Sequence, residues 1–184
     1  MKTKYLWAVI CIILFAVAAT SLTIKDDKLS EYYGNVESFA PYEAKLLIAN
    51  QIAVGSFATG IVQADSLINL YPNDPHIYVM KGFAYYAMGD SIKARDQFKD
   101  AMDAFDYLLS KQPAFQNVIN KATMVFFVYG DSAHQKYWDD VSRKEEYVDY
   151  WWTIPEYRIL TGIPLKKSVE GFIKQYTLIR EADE

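Results

Sequence analysis

Two histidines, His76 and His134, are the only imidazoles in the 184 residues, and they bound the acid–base chemistry open to this chain. General acid–base or nucleophilic catalysis needs a titratable group held against a partner that tunes or orients it. The two histidines lie on different helical stretches, so they do not form a pair. His134 has Asp131, Asp139 and Asp140 close in sequence, which are residue types that ligate metals. Carboxylates three positions before and five and six after a histidine share its helix face poorly, so the expectation is no metal and a surface or capping role for His134. His76 follows a helix-starting proline and reads first as an ordinary first-turn residue. Cys11, the single cysteine, lies in the apolar N-terminal stretch and leaves the folded part without a disulfide, a thiol nucleophile or a zinc cluster. Glycine-rich phosphate loops, Ser-x-x-Lys and Gly-x-Ser-x-Gly are missing from the sequence. The expectation is a non-enzymatic protein with no cofactor and no small-molecule substrate evident.

Binding chemistry is better represented. Tyr147, Tyr150, Trp151, Trp152, Ile154 and Tyr157 crowd into one short stretch. Tyrosine and tryptophan join an apolar body to a polar tip, so Tyr150, Trp151, Trp152 and Tyr157 suit a docking patch or a membrane-interface belt. The competing reading, taken first, is core packing where the closing helix folds back. Exposure of half the cluster would favour docking. Lys166 and Lys167 are too few to argue for lipid head groups. The net charge is −4, and setting aside Lys2 and Lys4 leaves 17 basic against 23 acidic residues, which argues against nucleic acid.

The elements that must carry these groups are helices. Residues 75–101, PHIYVMKGFAYYAMGDSIKARDQFKDA, place Tyr78, Gly82 and Tyr85 on one helix face. Gly89 is a C-terminal stop, Asp90 or Ser91 caps the next helix, and Ala94, Phe98 and Ala101 form a second stripe. Pro41 to Pro75 and Gly55 to Gly89 are both 34 residues. That period, with Gly82, Tyr85, Gly89, Ala94, Phe98 and Ala101 at their offsets from Pro75, resembles the tetratricopeptide repeat. The copy from Pro41 is degenerate: Leu47, Gly55, Gly60, Ala64, Leu67 and Pro72 fit, whereas Ile48 replaces a small residue and Gln51 an aromatic. The resemblance covers roughly residues 41–110.

The resemblance implies a concave groove lined by Tyr42, Lys45, Ala49, Ile52 and Ala53 in the first copy and by His76, Val79, Phe83, Tyr86 and Ala87 in the second. Apart from Lys45 it lacks the basic and asparagine residues that chaperone-binding members use to clamp a C-terminal carboxylate. A helix or hydrophobic segment is the implied occupant. The alternative is that these residues pack against the chain's own helices or N-terminal linker, and the sequence leaves both open.

Beyond the repeats, the second helix runs on to a stop before Pro113. A third pair follows over residues 114–130 and 131–152, with Gly130, Asp131 and Ser132 repeating the Gly89, Asp90, Ser91 punctuation. A short helix over 155–160 and a closing amphipathic helix over 164–179 complete an expected seven or eight helices, the last as an end cap. At the other end, residues 5–22 are uncharged and follow Lys2 and Lys4. They read as a retained signal-anchor or a signal cleaved near Ala16–Ala18; length favours the anchor. The expected plan is thus all-α: a transmembrane helix in 1–24, a linker in 25–40 and a tetratricopeptide-like solenoid in 41–184. The lysines keep the N-terminus cytoplasmic and the helical domain extracytoplasmic. The functional expectation is a single-pass membrane-tethered interaction module, an accessory or assembly subunit whose partners are proteins of a membrane complex. Two alternatives are an integral subunit buried permanently in such a complex, with Ala16, Ala18 and Ala19 marking a helix contact, and a secreted free-standing repeat domain.

Overall fold

The computed structural model describes residues 39–183, which form eight α-helices and one 3₁₀ helix and, among the described residues, no strand. The helices are α1 (Tyr42–Ala53), α2 (Phe57–Leu70), α3 (Pro75–Ala87), α4 (Ser91–Lys111), α5 (Phe115–Tyr129), α6 (Asp131–Val141), α7 (Ile154–Thr161) and α8 (Leu165–Asp183), with the 3₁₀ helix at Glu145–Tyr150 between α6 and α7. Segment 5–22, read above as the anchor, lies outside the described residues, as does most of the linker. Among the described residues no helix is long and apolar enough to cross a membrane.

The first two hairpins are closed by the same local device. Gly55 and Gly89 adopt φ of +80° and +85°, which a side chain resists. In each, the glycine N–H and the N–H after it reach back into the ended helix: Gly89 to Tyr86 and Asp90 to Tyr85, Gly55 to Ile52 and Ser56 to Gln51. This is the paired Schellman bond pattern, which satisfies helix-end carbonyls while turning the chain. Asp90 then caps α4 by accepting from the Lys93 N–H at 3.0 Å. Gly130 differs from its expected analogues. It ends α5 and begins α6 as one residue at φ 80°, ψ −170°, and neither Asp131 nor Ser132 makes a side-chain cap.

Packing within each hairpin depends on matching a large residue to a small one. A Cβ on Gly82 would lie 2.4 Å from the Phe98 ring, so α3 and α4 touch only because that position is bare. One period earlier the volumes are exchanged: Ile48 stands at the position of Gly82 and Ala64 at that of Phe98, both fully buried in one cluster. The apparent misfit at Ile48 is therefore a compensated one.

α4 runs unbroken to Lys111, as its pattern predicts, and its extra turns bury Phe105 and Leu108. The continuous helix expected over 131–152 is not formed. α6 stops at Val141, and the chain re-forms as the 3₁₀ helix, within which Tyr147 is non-helical at φ −116°, ψ 18°. The break lets Tyr147 turn inward and Tyr150 stack flat on Phe115, at 5.7 and 4.1 Å between ring centroids. After α7, helix α8 returns along α1 and touches α3.

Candidate docking site

The ten residues that the resemblance assigns to the groove lie on α1 and α3, and α8 packs against both helices. Ala49 and Ile52 are fully buried, and Phe172, Ile173 and Tyr176 of α8 pack on their cluster. Phe83 is buried with its ring 5.2 Å from Phe172, edge to face, and Val79 and Tyr86 are half-buried in the same cluster. Tyr42 is half-buried, its phenol pushed up by burial and then by Glu43. Tyr176 is pushed up to about 12 by burial, with Tyr42 contributing. The face implied for a partner is thus covered by the chain's own last helix.

Lys45 and His76 are placed by a residue the sequence reading passed over. Asp74, fully buried, accepts from the Ala40 N–H at 3.1 Å, from the Lys45 ammonium at 3.0 Å and from the His76 N–H at 3.0 Å. It caps α3 and ties down the start of the described chain. The signal was available, since an aspartate directly before a helix-starting proline is a cap. The His76 ring lies 6.3 Å from Phe39 and 6.0 Å from Phe105, and burial there lowers its pKa to about 4; Asp74 opposes the shift and Lys45 adds to it.

His134 is not on the surface, as expected, but wholly buried. Its Nε2 lies 2.7 Å from Thr161 Oγ1, and the Trp138 indole N–H points at both, 3.1 Å from Nε2 and 3.0 Å from Oγ1. The Thr161 hydroxyl donates to the Tyr157 carbonyl at 2.7 Å. Burial is the main cause of a lowered His134 pKa, opposed by Asp131 and reinforced by Arg158. Without a carboxylate partner, and sealed from solvent, this trio ties α6 to α7 and offers a substrate no access. Asp139 and Asp140 instead pair with Arg158 at 2.7 Å and Arg143 at 3.6 Å. Among the described residues no three His, Cys, Asp or Glu side chains converge as metal ligands would.

A cleft of about 280 Å³ between α4, α5, α6 and the 3₁₀ helix is lined by Asp106, Lys121, Tyr137, Lys144, Glu146 and Tyr147, among others. Its cations are already engaged, Lys121 with Asp106 and Lys144 with Glu146 at 3.7 Å. Burial holds the Tyr137 and Tyr147 phenols protonated.

The aromatic stretch divides, with Tyr150 on the boundary because its ring also stacks on Phe115. Tyr147 and Ile154 are buried and Tyr157 is half-buried beside Trp138 and Phe115, whereas Tyr150, Trp151 and Trp152 are exposed at 43, 46 and 79%. Half the cluster therefore faces outward, and the half that packs does so on α5, α6 and α7, not on the closing helix. Comparisons with protein-family models, with characterised proteins and with solved structures return no match for this chain.

Proposed function

We propose that residues 41–184 are a tetratricopeptide-like array of helical hairpins, tethered to a membrane by segment 5–22, that works as a non-enzymatic protein-interaction module. In this reading the domain faces the extracytoplasmic side and is an accessory or assembly subunit of a membrane complex. The observation that carries it is the exposed run Tyr150, Trp151, Trp152 on an ordered helical scaffold in which α8 packs on α1 and α3. Exposed aromatic anchors beside a buried core are what protein interfaces use, and tethering raises the effective concentration of even a weak contact. Phe126 and Phe127 do not extend this surface: Phe127 lies 5.2 Å from Phe98, and Phe126 stands edge-on to His134.

The test is purification of the full chain from its native membrane in mild detergent, with mass spectrometry of its companions and of its own N-terminus. A stoichiometric partner that is lost from W151A/W152A, with residues 1–23 intact, is the expected result. No partner, together with an N-terminus near Ala19, overturns the tethered-module reading in favour of a secreted free-standing domain.

A further inference from the structure

Residues 145–157, EEYVDYWWTIPEY, hold four carboxylates, Glu145, Glu146, Asp149 and Glu156, and no cation. All four are exposed, and between them stand Val148, Tyr150, Trp151 and Trp152, exposed as well. The run is held in place from both sides. Tyr150 stacks on Phe115 with only 8° between the ring planes, and the Trp152 indole N–H donates to the Asp149 carbonyl at 3.0 Å. Of the flanking cations, Lys144 pairs with Glu146, one of the four carboxylates, at 3.7 Å, and Arg158 pairs with Asp139 outside the run, so that among the described residues Glu145, Asp149 and Glu156 make no ion pair.

This combination selects a chemistry. Indole and phenol faces carry a negative quadrupole that draws cations, and the carboxylates add to it, while the ring bodies gain from apolar contact. Acidic head groups are repelled by the same charges, and a surface without lysine or arginine lacks the usual attraction to an anionic leaflet. We propose that residues 145–157 form a docking lip for a cationic, apolar segment of a partner protein, one in which Lys or Arg alternates with aliphatic side chains. The proposal rests on the interaction-module reading and gives that module's partner a chemistry.

The test uses the full chain in zwitterionic nanodiscs, titrated with a labelled amphipathic Lys/Leu peptide and with its Glu/Leu counterpart. Comparison with W151A/W152A discs removes peptide binding to lipid. The Lys/Leu peptide binds wild type about tenfold or more tighter than W151A/W152A. It also binds E145Q/E146Q/D149N/E156Q more weakly at low salt, a gap that closes as salt rises. The Glu/Leu peptide does not distinguish wild type from either variant. Near-UV dichroism of buried Trp138 reports that each variant is folded. Equal Lys/Leu affinity for wild type and W151A/W152A overturns the proposal, as does a Glu/Leu peptide that binds the lip. Quenching of tryptophan emission by brominated disc lipids that is lost in W151A/W152A overturns it too, by assigning the lip to the bilayer; the variant is the reference because Trp7 lies in segment 5–22, which the module reading places in the membrane. Failure of the peptide arms while a partner still co-purifies removes the cationic partner and leaves the module reading standing. Absence of any co-purifying partner strikes the module reading instead.

Discussion

Residues 41–111 and residues 114–162 solve the packing of helical hairpins in two different ways. The first half matches volumes across each hairpin, Ile48 with Ala64 and Phe98 with Gly82, and its outer apolar face is sealed by α8. The second half abandons the 34-residue period and builds around rings: Phe115, Trp138, Tyr147 and Tyr157 enclose a core tied by a buried polar trio. Close helix approach fixes shape but leaves little aromatic surface over. Ring stacking tolerates irregular backbone, and it is in this half that the chain turns out of helix and presents Trp151 and Trp152 to solvent. Regular packing and a displayed surface are thus divided between the halves.

The sharpest way to break this contrast is to exchange volumes in the second hairpin so that it resembles the first. Phe98→Ala removes a fully buried ring and is expected to cost about 3–5 kcal/mol. Gly82→Ile drives a side chain into the space of that ring and costs about 3 kcal/mol or more. The double variant G82I/F98A recreates the Ile48/Ala64 arrangement and should melt well above the level expected from adding the two losses. Thermal unfolding of the full chain in mild detergent reads all three. Strict additivity would show that the two positions do not share one volume and would remove the basis of the comparison.

In the second half the corresponding weak point is polar. Thr161→Val keeps the shape but removes the hydroxyl that the Trp138 N–H and His134 Nε2 share, leaving them only each other, at a cost of about 1–3 kcal/mol, whereas Thr161→Ser restores most of it. A Val variant as stable as wild type would mean that aromatic packing alone holds α6 to α7. That result would sharpen the contrast, since nothing polar would then be needed there.

Acid separates the halves less strongly. His76 is held at about 4, below its ordinary value near 6.5, so the folded state favours the neutral ring. Its contribution is whole above about 6.5 and is lost as pH falls towards 4, because the unfolded chain takes up the proton first. Melting temperature should drop between pH 7 and pH 5, by an amount on the order of 1 kcal/mol in stability. Burial shifts His134 in the same direction, so His76→Gln should flatten the pH dependence in part and not wholly. A slope unchanged in His76→Gln would move the acid sensitivity to the second half.

How much of this was legible depends on the range of the physics involved. Gly55, Gly89, Asp90 and the long α4 are local matters of backbone sign, caps and periodicity, and the sequence displays them directly. The Ile48 departure looked like a defect because its compensation sits at Ala64, across the hairpin. The end of α6 at Val141 was hidden, since DSAHQKYWDDVSRKEEYVDYWW contains no glycine or proline, and the ring that Tyr147 and Tyr150 pack on after the break, Phe115, precedes it in the chain. His134 read as a surface residue for the same reason: its partner Thr161 is 27 positions on. The amphipathic pattern of α8 was plain, with Leu165, Val169, Phe172, Ile173 and Tyr176 on one side, but periodicity does not say which face such a stripe will cover. Groove and core present the same residues until the covering helix is placed.

The smallest expected effect belongs to the lip, and its smallness is the point. Trp152 is 79% exposed and Trp151 46%, so their truncation opens no cavity, and W151A/W152A should change stability by about 0.5 kcal/mol or less. Tyr147, in the 3₁₀ helix just before them but buried, provides the internal control: Tyr147→Ala should cost several kcal/mol, near the range for a large core side chain. A melting curve for W151A/W152A that falls as far as that of Tyr147→Ala would make the tryptophans part of the aromatic core and leave no surface for display. Indistinguishable stability, with a changed set of companions, would instead separate what folds this half of the molecule from what it offers to others.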